Sequence, residues 1–134
     1  MAIPIWKHAV IFLTSVVAFV ALDMTWIWLV AGEIYLTVLG DILRQPDPLA
    51  GILAWFCIVG AVYYFALPSS RGSPVLALRQ GALMGLGLYG CYEFTNLSIL
   101  TPWTWALAAI DTVWGCVACA VVCWVQLALT RRLA

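Results

Sequence analysis

Asp23, Glu93 and Asp111 each stand inside a long, otherwise apolar stretch of the chain, and they are the residues best placed to do chemistry. An Asp at the centre of a membrane helix costs about 2.5 to 3.5 kcal/mol, against a gain of about 0.3 to 0.6 for each Leu, Ile, Phe or Val around it. The helices can still insert, but the acids need a reason to be there. No Lys, Arg or His lies in the body of any predicted span to neutralise them. Desolvated carboxylates that lie together cannot all ionise, so they must carry a proton, share one or bind a cation. With Asn96 the donor set is all oxygen and amide, which suits a proton, Na⁺, Mg²⁺ or Ca²⁺ better than zinc or copper. The plainer alternative is that protonated acids hydrogen-bond across helices to Thr25, Tyr92, Thr95 or Asn96 and fix the packing.

Spacing tells which way the acids face. Gly81, Gly85, Tyr89, Glu93 and Asn96 recur every three or four residues, which puts Glu93 on the same stripe as a G-x-x-x-G pair. Asp111 shares a face with Gly115, Ala118 and Cys119. Small-residue stripes are where membrane helices approach one another, so both acids should face the interior of a bundle. Counting roughly 1.5 Å per residue from the flanking basic residues puts all three acids at about one depth, in the outer half of the bilayer. The expected binding site comprises Asp23, Glu93 and Asp111 as ligands, Asn96 orienting, and Trp26, Tyr89, Tyr92 and Trp114 as walls.

Composition fixes the setting for these residues. Of 134 residues, 66% are hydrophobic and 9% charged, where soluble domains run to about 45–50% and about 25%. A soluble domain is excluded; the reading is all-α, a polytopic membrane protein with one four-helix transmembrane domain over residues 1–134. Proline follows a capping residue at Asp47-Pro48, Ser73-Pro74 and Thr101-Pro102, which marks three helix starts. The spans are then about 7–31, 49–67, 75–99 and 102–129. Between the first two, Ile34, Val38, Leu39 and Ile42 alternate with polar residues at helical spacing, which predicts a short amphipathic interfacial helix over about 33–44. Lys7, Arg71, Arg79, Arg131 and Arg132 fall on one side and only Arg44 on the other, so both termini should be cytoplasmic. Trp26, Trp28, Trp103 and Trp105 fit an outer aromatic belt, and Trp6 and Trp124 an inner one. The segment Ala18-Phe19-Val20-Ala21 makes a poor signal-peptide cleavage site, so the first apolar run reads as a retained span.

Other motifs carry less. Cys116, Cys119 and Cys123 read as small packing residues on an apolar helix rather than a metal site, and the odd number of five cysteines suggests no disulfide framework. His8 is the single histidine, which excludes bis-histidine haem ligation within one chain. No serine has a base beside it, so no catalytic residue is assigned. Neither a cofactor nor nucleic acid is indicated; the expected partners are membrane lipid, a small cation or proton, and other membrane proteins or a second copy of the chain.

Two stretches echo each other: Leu22-Asp23-Met24-Thr25-Trp26 and Ile110-Asp111-Thr112-Val113-Trp114 both read apolar-D-x-x-W, on spans that run in opposite directions. With Tyr35 through Leu39-Gly40, Tyr92-Glu93-Phe94-Thr95-Asn96 and Trp114-Gly115, these motifs resemble a family of small bacterial four-span membrane proteins of unknown function. The resemblance covers nearly the whole chain. It implies a four-helix inner-membrane protein in a lipid context and brings no established activity; Glu93 stands where the family more often has Asp. Three function classes follow: a binding or permeation module for a proton, small cation or lipid head group; an accessory or assembly subunit of a larger complex; and a lipid-modifying enzyme with Asp23 and Asp111 as its acid/base pair. The first accounts for the most residues.

Overall fold

The computed structural model describes residues 4–134, and its regular structure is entirely helical. Helix α1 runs Ile5–Leu39, α2 Pro48–Ser69, α3 Pro74–Ile99 and α4 Trp105–Leu133. Of these, α1, α2 and α4 are long and apolar enough to cross a membrane. Helix α3 has the length but a lower hydropathy, because it carries Arg79, Gln80, Glu93, Asn96 and several glycines.

The helix starts follow their side chains. Asp47 Oδ1 accepts from Leu49 N at 3.0 Å and Ala50 N at 3.2 Å, and Ser73 Oγ from Leu76 N at 3.4 Å, each with proline at the first helical position. The third expected start is displaced: α4 begins at Trp105 with Thr104 as its cap, and Thr101-Pro102 forms a turn instead. The separate interfacial helix over 33–44 also does not form. Gly32 keeps right-handed helical angles, so Gly32–Leu39 continues α1, and the helix ends at a turn near Gly40. At about 1.5 Å per residue α1 is about 52 Å long, well beyond a hydrocarbon core of about 30 Å.

Helices α3 and α4 make the tightest contact. A Cβ on Gly85 would come within 2.1 Å of the Gly115 carbonyl oxygen, and one on Gly81 within 2.4 Å of that of Cys119, so only glycine permits this approach. Helix α1 lies against α4 and α2, and the second half of α2 closes on α3 and α4. The core along this seam gathers Phe19, Val59, Val62, Ala77, Cys119 and Val122. A smaller cluster of Leu39, Trp103, Leu107 and Ala108 closes the end where the acids lie. Large side chains such as Leu13, Val17, Leu53, Leu83 and Val113 point outward, as lipid-facing residues must. Cys119 and Cys123 are core packing residues, and all five cysteines are free.

Candidate functional site: carboxylates held by indoles

Each intramembrane acid is held by tryptophan. Asp23 accepts from Trp55 Nε1 at 2.8 Å and from Trp114 Nε1 at 3.0 Å. Glu93 accepts from Trp103 Nε1 at 2.7 Å. Asp111 accepts from Trp26 Nε1 at 3.4 Å and, on its other oxygen, from the Tyr35 hydroxyl. The eight tryptophans therefore divide in half. Trp26, Trp55, Trp103 and Trp114 serve carboxylates, while Trp6, Trp28, Trp105 and Trp124 are exposed on the outside of the bundle.

The two D-x-x-W motifs exchange partners. Residues three apart share a helix face, so Asp23 and Trp26 point the same way from α1, as do Asp111 and Trp114 from α4. Lys7 meets Leu133 while Tyr35 meets Asp111, so α1 and α4 run antiparallel. Antiparallel alignment sets Asp23 level with Trp114 and Trp26 level with Asp111, and each indole bonds the opposite acid. The two indoles then stack on each other, centroids 4.7 Å apart and planes within 3°.

Tyr35 reaches Asp111 because α1 contains a π turn at Ile27–Ala31. Tyr35 lies twelve residues beyond Asp23, which in an unbroken α-helix of 3.6 residues per turn would leave it about 120° off that face. The extra residue accommodated by the π turn takes back about 100° and returns Tyr35 to the side of Asp23 and Trp26.

The residues expected at the site fall into two linked groups. Glu93 and Asp111, 1% and 3% exposed, are buried within electrostatic reach of each other. Asp23, half-buried, joins them only through the stacked indoles. Among the described residues no group of three or more acids, histidines or cysteines is placed to hold a metal ion. Tyr89 packs under Gly115 within electrostatic reach of all three acids. Tyr92 meets Trp103 edge-on at 5.9 Å, and Asn96 lies one helical turn beyond Tyr92 on α3. Beside the Glu93–Asp111 pair a cleft of about 380 Å³ opens to the surface, walled by Tyr35, Leu39, Ile42, Leu43, Tyr92 and Trp103.

Three of these residues were not singled out for the site from sequence. Trp103, expected in the outer aromatic belt, is instead 8% exposed and turned inward. Tyr35 figured only in a motif. Trp55 had the clearest signal, a tryptophan in mid-span and away from either interface, where its N–H must find an acceptor.

The model of a family described as "Predicted membrane protein (DUF2177)" matches residues 8–128, a stretch that contains every acid and every indole of the site. The chain belongs to that family. Membership accords with the motifs read from the sequence, and DUF2177 is a family of unknown function. No curated protein and no solved structure matches the chain.

Proposed function

We propose that this DUF2177 protein is a four-span, non-enzymatic binding module of a bacterial inner membrane, with both chain ends cytoplasmic and its acidic, aromatic site near the outer surface. Helix α3 counts as the fourth span because the residues that lower its hydropathy are largely kept from lipid: Glu93 is buried and Gly81 and Gly85 lie against α4. At about 1.5 Å per residue its length of about 39 Å suffices to cross.

The observation that carries the functional reading is the Glu93–Asp111 pair beside an open aromatic cleft. Two neighbouring carboxyl groups buried together do not both ionise, so the resting pair holds one exchangeable proton and one negative charge. Indole N–H groups donate only, and they stabilise that charge without neutralising it. A small cation, in particular the ammonium of a lipid head group, would enter past the faces of Tyr35, Tyr92 and Trp103, which favour cations, and displace the proton.

Infrared difference spectroscopy on the purified protein tests this. The wild type should show the carbonyl stretch of a protonated carboxyl group near neutral pH. Glu93→Gln should abolish it, because a neutral amide leaves no second carboxyl group for Asp111 to share the proton with, and Asp23→Asn should leave it. A wild type without the band, or a Glu93→Gln protein that keeps it unchanged, overturns the reading.

A further inference from the structure

A second cleft lies at the opposite end of the bundle. It has a volume of about 650 Å³, within the range of about 300 to 1,000 Å³ typical of ligand sites. Its walls come from the start of α1, the end of α2 and the end of α4, with Ile5, Leu67 and Leu127 giving an apolar floor and His8, Tyr63 and Thr130 giving polar groups. His8 Nδ1 and the Tyr63 hydroxyl are hydrogen-bonded at 2.5 Å and fix one side of it.

The charge around this cleft is one-sided. Lys7, Arg71, Arg79, Arg131 and Arg132 lie at this end of the helices, and none of the six acids does. Two of the cations, Lys7 and Arg131, are chain neighbours of the wall residues His8 and Thr130, and both are anchored. Arg131 Nη2 donates to the carbonyl of Gly72, itself a wall residue, at 2.5 Å, and Lys7 Nζ donates to the carbonyl of Leu133. Each bond uses one donor of several, so both groups keep N–H bonds for an anion. Arg71 adds an independent sign. It sits next to Gly72 with φ of 50°, the left-handed region that glycine occupies without strain and an L side chain does not. The turn alone calls for glycine there, and the arginine brings a cation.

We propose that this cleft binds one anionic phospholipid, its acyl chain along the Ile5, Leu67 and Leu127 floor and its phosphate between Arg71, Arg131 and Lys7. An apolar trough that opens beside a cationic rim at the membrane surface matches that molecule and no zwitterionic one equally well.

The test uses the purified full-length chain, equilibrated in detergent with equal amounts of phosphatidylglycerol and phosphatidylcholine of the same acyl composition, and counts retained lipid by native mass spectrometry. The wild type should retain one phosphatidylglycerol in preference to phosphatidylcholine. Arg131→Gln and Arg71→Gly should each weaken phosphatidylglycerol retention about fivefold, the value of one cation near a membrane surface, with phosphatidylcholine unchanged. Arg71→Gly relieves the turn and so keeps the fold intact even if Arg131→Gln does not. Equal retention of the two lipids by the wild type, or a preference that survives both substitutions, overturns the proposal.

Discussion

An indole N–H can donate a hydrogen bond but neither accept one nor give up its proton, and this sets what the site can be. Lysine or arginine beside Asp23, Glu93 or Asp111 would have made permanent ion pairs; tryptophan leaves the charge available. Replacing Trp114 with Phe should keep an aromatic ring against Trp26 while removing one donor from Asp23. A double-mutant cycle with Asp23→Asn, read by unfolding in mixed micelles, should return a coupling of about 0.6 to 1.7 kcal/mol, the range found for hydrogen bonds between membrane helices. Thr112 presents the opposite case, since its hydroxyl is buried with no partner. Thr112→Val should be neutral or stabilising in the same measurement, because it removes an unsatisfied polar group at little change in shape. At this scale the acids were legible in the sequence because charge in an apolar run stands out. Trp103 was not, because near the interface a tryptophan looks the same whether it faces lipid or a carboxylate 10 residues away along the chain, whereas the mid-span place of Trp55 does call for an acceptor.

At the scale of elements, the glycine stripe, two of the three caps and the antiparallel echo could be read directly, since each depends on local spacing. The start of α4 and the course of α1 beyond residue 31 could not. Trp103 bonds Glu93 from the turn before Thr104, and that turn is set by a contact with another helix rather than by the Thr101-Pro102 pair. The π turn at Ile27–Ala31 has no sequence signature of its own. Deleting Leu29 should remove the π turn and leave an ordinary helix in which Tyr35, now eleven residues from Asp23, still lies within about 20° of its face. The Tyr35 contact with Asp111 should therefore survive, and Tyr35→Phe should cost as much stability in the shortened chain as in the full one, read by unfolding in mixed micelles. Glycines separate by environment in the same way. Gly85→Ala should destabilise by about 1 to 3 kcal/mol through overpacking against Gly115, whereas Gly87→Ala, where a Cβ meets nothing within 4 Å, should stabilise α3 slightly.

For the whole molecule, a net charge of zero conceals a strong polarity, with five of six basic residues at one end of the helices and all six acids toward the other. A fluorescent protein fused after Ala134 should therefore fold and emit, and an alkaline phosphatase fused at the same point should stay inactive, if that end is cytoplasmic. The reverse pattern would invert the topology. Hydropathy and charge made the membrane setting legible at once, while the pairing of distant residues was hidden because nothing local encodes it. That long separation has a consequence in time. Asp23 and its partner Trp114 are 91 residues apart. At about 5 to 20 residues per second of synthesis, the acid is made about 5 to 18 s before the indole that will hold it. During that interval Trp55, 32 residues away, is the donor already made. The site can therefore exist only once the last helix has entered the bilayer, so a nascent chain halted before residue 111 has neither the stacked indoles nor the paired carboxyl groups.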